Sequence, residues 1–285
     1  MKGKFFSDKK TVTLISAVVI ISLVSLLLLG EGEAENTTYE GPPRAVIIDQ
    51  LHDEMPYLFF QQKVTEYLTD AGYEVDVVTT QSVTVDFYKK LPELNYEFIV
   101  VRTHAVGRET EDIVLFTGEK YQDDKYIQEQ LFGHVKKATP VLERSYRAEE
   151  NDLSKWNIVN ETHRFLKTPV KVDEKTQDEY FAISSKLVDE LMVGNFPGTT
   201  ILLGGCGTLA NPSMAQSFIN RGATTVVGWD DTISNFDNDE IMLRVLKETF
   251  VNDLEIKDAV DLVMENYIQD KEYPATFKYY SEKNF

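Results

Sequence analysis

Two residues in this chain carry the chemistry of nucleophilic catalysis and stand where a fold would present it. Cys206, the only cysteine, lies in Thr199-Thr-Ile-Leu-Leu-Gly-Gly-Cys-Gly-Thr208, an apolar β-type run that ends in a glycine turn. His104 ends a second such run, Glu97-Phe-Ile-Val-Val-Arg-Thr-His104. If both runs are parallel strands of one sheet, the two side chains emerge at the same carboxyl edge, where open α/β sheets build their sites. A free thiol has a pKa of about 8.5 and needs help to become the nucleophilic thiolate. A neighbouring imidazole accepts the proton, and the positive end of a helix stabilises the anion. Gly204, Gly205 and Gly207 frame the thiol. Glycine lets backbone amides come close to a substrate carbonyl, as an oxyanion-binding site requires.

The elements that must position this pair follow an α/β rhythm. Arg44–Asp49 reads as a short buried strand. Leu58–Ala71 reads as a helix, with Phe59, Val64, Leu68 and Ala71 near a 3.6 period and Gly72 as its stop. Glu74–Thr79 is a strand, Val85–Leu91 a short helix and Phe98–Thr103 a third strand, with Arg102 an odd polar insertion near its end. A β-α-β-α-β order calls for a parallel sheet with right-handed crossovers. Residues 105–198 break the rhythm; Asp112–Phe116 and Tyr180–Ile183 are expected to be short antiparallel strands. This stretch reads as an insertion serving as a lid or substrate-facing flap. The rhythm returns with the strand to Gly204, a helix from Pro212 capped by Asn211, and a strand over Ala223–Gly228. Two amphipathic helices follow, Asn238–Val251 with Asp237 as its cap and Ile256–Tyr267.

Chain order narrows the chemistry. All four histidines, His52, His104, His134 and His163, precede Cys206. Papain-like proteases run Cys before His, as do glutamine amidotransferases. A histidine first and a cysteine second, each ending a hydrophobic strand, resembles the caspase-like cysteine peptidases. The pattern is nearest to the gingipain and CHAT types. The resemblance spans about residues 44–265 and rests on Phe98-Ile-Val-Val101 before His104 and Ile201-Leu-Leu203 before Gly205-Cys206. It also rests on Met214-Ala-Gln-Ser-Phe-Ile-Asn-Arg-Gly-Ala-Thr-Thr-Val-Val-Gly228, similar to the helix, Gly-Ala turn and strand that follow the cysteine in that group.

The resemblance implies an α/β, three-layer caspase-like sandwich with a mostly parallel sheet. Strand 1 would lie between strands 2 and 3, with the dyad on neighbouring strands. It implies His104 as general acid and base, Cys206 as nucleophile, and the backbone amides of Ala105 and Cys206 as the oxyanion site. Ala105 stands where the group usually has glycine, and Gly-Gly-Cys-Gly replaces its commoner cysteine frames. The expected activity is hydrolysis of peptide or protein substrates through an acyl-enzyme, with no cofactor and no metal. Related peptidases place specificity groups beyond the next strand, so Asp230 and Asp231 are candidate substrate-binding acids. The competing reading there is an acidic loop.

Other readings remain at each position. Cys206 can be a small buried hydrophobe. The same fold with a blocked dyad would be a non-catalytic surface binding module for a peptide or cell-wall component. A redox thiol lacks a resolving cysteine in the chain. His52, in Asp49-Gln-Leu-His-Asp-Glu54, is a rival base at the same edge, and that run can also be read as a metal set or a solvated loop. His134 and His163 fall in the insertion and read as surface residues. Glycines 204, 205 and 207 as a phosphate cradle lack the lysine of a P-loop.

The first thirty residues are different in kind. Lys2, Lys4, Lys9 and Lys10 precede Thr11–Gly30, twenty uncharged, mostly apolar residues. At a helical rise they span roughly the 30 Å of a bilayer core. Residues 1–30 read as a cytoplasmic flank and uncleaved signal anchor, with a cleaved signal peptide ending near Gly32-Glu-Ala34 as the other reading, residues 31–41 as linker and 42–285 as an α/β domain outside the cytoplasm. Asn36-Thr-Thr38 and Asn160-Glu-Thr162 match the glycosylation pattern of exported chains. The net charge is −18, and without residues 1–30 it is 25 basic against 46 acidic residues. Such a domain repels nucleic acid and anionic lipid surfaces.

Overall fold

Short apolar runs bounded by glycine and proline alternate with amphipathic stretches, and the chain folds as that pattern requires. The computed structural model describes residues 41–108, 111–140, 178–267 and 274–283. The expected anchor, both glycosylation motifs and His163 lie outside them. No helix among the described residues is long and apolar enough to cross a membrane.

The strands are β1 (Arg44–Asp49), β2 (Glu74–Thr79), β3 (Phe98–Arg102), β4 (Ala105–Arg108), β5 (Glu111–Lys120), β6 (Val135–Ala138), β7 (Tyr180–Ser184), β8 (Thr200–Gly204), β9 (Thr225–Trp229) and β10 (Phe277–Ser281). The helices are α1 (Leu58–Asp70), α2 (Val85–Lys90), α3 (Ile127–Leu131), α4 (Ser185–Leu191), α5 (Ser213–Asn220), α6 (Asn235–Phe250) and α7 (Ile256–Glu265). Six strands form the main sheet in the order β10-β9-β8-β3-β1-β2. All its pairings are parallel except β10 against β9. β1 thus lies between β2 and β3, with β8 beyond β3.

Both faces of the inner strands are covered, and their sequences show it. Ala45 and Ile47 of β1, Phe98 and Val100 of β3 and Leu202 of β8 pack under α1, α6 and α7. Their alternates, Val46, Ile48, Ile99, Val101, Ile201 and Leu203, face the other way. A strand buried on both faces becomes a nearly continuous apolar run, as these are. The second face meets α2, α4, α5 and a four-stranded antiparallel sheet of order β4-β5-β7-β6. The result is an α/β fold in three layers.

The described part of the insertion differs from the expected lid. Ile113 and Leu115 of β5 and Phe181 and Ile183 of β7 are fully buried in the same core as β1, β3 and β8. The described part of residues 105–198 is therefore a structural layer, and residues 42–285 form one compact unit. Smaller corrections have local causes. The buried stripe of α1 is Phe60, Val64 and Leu68, with Phe59 half-buried and Ala71 exposed. Helix α6 starts earlier than expected because Ser234, not Asp237, caps it. The Ser234 hydroxyl accepts the Asp237 amide at 3.1 Å and donates to the Asp237 carboxylate at 2.8 Å, a variant of the capping box.

Candidate active site

β3 and β8 run side by side with Arg102 opposite Gly204. The Thr103 amide donates to the Gly204 carbonyl at 2.9 Å and extends the pairing. His104 and Cys206 each lie two residues past that last registered pair. The two segments touch there. A Cβ on Gly205 would stand 2.5 Å from the Thr103 carbonyl oxygen and 3.2 Å from the Ala105 Cβ. Any side chain at this position would drive the Cys206 turn off the His104 segment. The sheet order also reverses between β1 and β3, and the crevice beyond such a reversal is where open α/β sheets bind ligands.

The turn carrying Cys206 is stitched to the end of β9. Gly207 adopts a φ of +61°, a left-handed backbone that glycine takes without steric cost. Its amide donates to the Asp231 carbonyl at 2.9 Å, and the Leu209 amide donates to that of Trp229 at 2.7 Å. The Thr208 hydroxyl donates to the Leu203 carbonyl at 3.1 Å and accepts the Trp229 amide at 3.0 Å. Cys206 itself is half-buried against the α1–α6–α7 layer. Its thiol donates to the Ile233 carbonyl, with Sγ 3.4 Å from that oxygen.

His104 stands where the chain leaves the main sheet for the antiparallel one. Its carbonyl accepts from the Phe116 amide at 3.0 Å and from the Thr103 hydroxyl at 2.9 Å. In a trans peptide the following N–H points opposite the carbonyl. The Ala105 amide is therefore aimed away from β5. The His104 ring meets the Phe116 ring edge-on at 5.7 Å. Its Nε2 is 3.2 Å from Glu54 Oε2, with only 13% of the side chain exposed. Glu54 comes from the loop after β1, so an acidic residue from one strand end holds the histidine of the next.

Beneath this edge lies a buried ionic network built on Arg102, which is 2% exposed. Its Nε and Nη2 donate to the two oxygens of Asp239 at 2.9 and 3.0 Å. Nη1 donates to Asp49 at 2.9 Å and Nη2 to the Met55 carbonyl at 2.9 Å. Burial alone would weaken the hold of Arg102 on its proton, but Asp239 and Asp49 outweigh it and push its pKa above the usual value. Asn238 extends the network, donating to Asp239 at 3.1 Å and accepting the Trp229 indole N–H at 2.9 Å. The polar insertion in β3 thus ties β1, β3, β9 and α6 together.

The remaining candidates are placed as follows. Asp230 is occupied: it accepts the Thr276 amide at 2.7 Å and pairs with Lys278 at 2.7 Å, which fastens β10 to β9. Asp231 is exposed, accepts its neighbour Thr232's amide at 2.7 Å, and adjoins the Cys206 turn through its carbonyl. His52 shares Gln61 with Asp49: Gln61 Nε2 lies 2.9 Å from His52 Nδ1 and 2.8 Å from Asp49 Oδ2. Among the described residues no group of three or more His, Cys, Asp or Glu is arranged to hold a metal ion. His134 is buried, not on the surface, and pairs with Glu190 at 2.7 Å. Comparison of the chain with known protein families and with curated proteins finds no match.

Proposed function

We propose that this chain is a membrane-anchored cysteine peptidase of caspase-like architecture, with its α/β domain outside the cytoplasm. One observation supports the reading above all. His104 and Cys206 occupy equivalent positions past paired β3 and β8, with Gly205 packed directly against the Thr103–Ala105 segment. With Glu54 accepting from Nε2–H, His104 presents Nδ1 as the base. Cys206 passes its proton to that nitrogen and attacks the peptide carbonyl carbon. The Ala105 and Cys206 amides receive the oxyanion. His104 then protonates the departing amine, and water hydrolyses the acyl-enzyme. This route needs no cofactor. Asp231 is the acid left to meet a basic substrate side chain, since Asp230 serves β10. The acidic surface favours peptide or protein over nucleic acid as the partner.

A second reading has its own support. The Cys206 thiol is turned to the Ile233 carbonyl, an orientation suited to a catalytically inactive module that only binds at this edge. Hydrolysis of a mixed peptide library separates the two. Cleavage by the wild type that disappears in a folded Cys206→Ala variant is the expected result. Equal cleavage by both proteins removes Cys206 as nucleophile.

A further inference from the structure

A catalytic base at a point where the chain changes sheets has to be fixed by something other than its strand. We propose that Gln50 is the positioning residue for His104. The inference rests on the reading of His104 and Cys206 as a working pair. Gln50 is the first residue past β1 and is 2% exposed. Its amide donates to the Arg102 carbonyl at 2.9 Å, carrying the β1–β3 pairing one step further. Its side-chain Oε1 accepts the His104 amide at 3.0 Å and lies 3.2 Å from the Thr103 hydroxyl, whose single proton also has the His104 and Phe116 carbonyls at 2.9 and 3.1 Å. The His104 amide belongs to no sheet ladder at this point, because β3 has ended and β4 begins at Ala105. Gln50 therefore supplies the acceptor that the sheet no longer provides, and a buried N–H without one is strongly disfavoured.

The hold has two points. Gln50 fixes the backbone of His104, and Glu54, four residues along the same loop, fixes its ring. The loop is anchored in turn by the Met55 carbonyl on Arg102 and by Asn235, whose amide lies 2.8 Å from the Met55 sulfur. Tilting the 103–104 backbone would move the imidazole and swing the Ala105 amide together. Gln50 touches neither the thiol nor the reacting atoms on this account. It acts by setting where His104 stands.

The test compares Gln50→Leu, which removes the acceptor at similar volume, with Gln50→Glu, which keeps it. Peptide cleavage and hydrogen exchange at the His104 amide are measured in the full chain. In Gln50→Leu kcat should fall about 10- to 100-fold, as misplacement of a catalytic group does. KM should stay within about twofold, since no substrate contact is lost. The His104 amide should exchange at least about tenfold faster. Gln50→Glu should restore most of both quantities. Unchanged kcat and unchanged amide exchange in Gln50→Leu overturn the proposal. If the wild type cleaves nothing, the peptidase reading is what fails, and amide exchange alone decides for or against Gln50. If Gln50→Leu does not fold, Gln50→Asn, whose shorter side chain withdraws the acceptor, carries the test: kcat and His104 amide exchange equal to wild type in that variant also overturn it.

Discussion

Replacing Arg102 with methionine should destabilise the domain far more than a surface charge deletion would. The guanidinium makes four hydrogen bonds, three of them to carboxylates that are nearly as buried as itself. Asp49 and Asp239 are 1% and 4% exposed. Without Arg102, Asp49 keeps the Gln61 amide and Asp239 keeps Asn238. Each keeps a donor and loses its guanidinium partner. Removing one partner of a buried ion pair costs about 3–5 kcal/mol, because it strands the other charge. For a domain of this size, where 1 kcal/mol moves Tm by about 2–4 °C, the loss corresponds to about 6–20 °C.

Urea unfolding followed by tryptophan fluorescence measures this, since Trp229 sits on the same network through Asn238. A second variant sharpens the cause. Arg102→Met combined with Asp49→Asn and Asp239→Asn removes the stranded charges and leaves neutral amides. It should recover at least about half of the lost stability, because the cost of breaking a buried pair comes mainly from the uncompensated charge. A loss below about 1 kcal/mol in Arg102→Met, or no recovery in the triple variant, refutes the reasoning that stranded carboxylates dominate.

Two further outcomes follow from the same geometry. Glu54→Leu should lower kcat about 10- to 100-fold with little change in KM, because the ring of His104 loses its orienting acceptor; steady-state cleavage kinetics check it, and an unchanged kcat removes Glu54 from the site. Asp230→Asn should weaken the attachment of β10, seen as faster amide exchange in Phe277–Ser281, yet leave cleavage preference unaltered; a changed preference would return Asp230 to the specificity site.

The centre of the main sheet was legible because its inner strands are short, apolar on both faces and bounded by turns, while β2 showed through its alternation. Arg44–Asp49, Phe98–Arg102 and Thr200–Gly204 need no partner information to be recognised. β10 was not, since Phe277-Lys-Tyr-Tyr-Ser281 is half-polar and gains its place only by antiparallel pairing with β9. That omission made Asp230 look available for substrate, because its partners Thr276 and Lys278 lie on the missed segment. The cap of α6 was misplaced for a local reason: Ser234 and Asp237 form a reciprocal pair, and both residue types cap helices. Arg102 stood out in the sequence, but its partners are 53 and 137 residues away and carry no local signature. Gln50 and Glu54 belong to the same class of hidden feature. Their meaning depends on β1 lying beside β3, a fact of topology rather than of spacing.

The proposed chemistry requires Cys206 and His104 to act as a pair. The most direct measurement is the rate at which a thiol-reactive acyl probe labels Cys206 near neutral pH, in the wild type and in His104→Ala. Rapid labelling that collapses in the variant, while both proteins unfold at the same urea concentration, is what an imidazole-activated thiol predicts. Equal rates in the two proteins would show that the histidine does nothing for the thiol and would contradict the account.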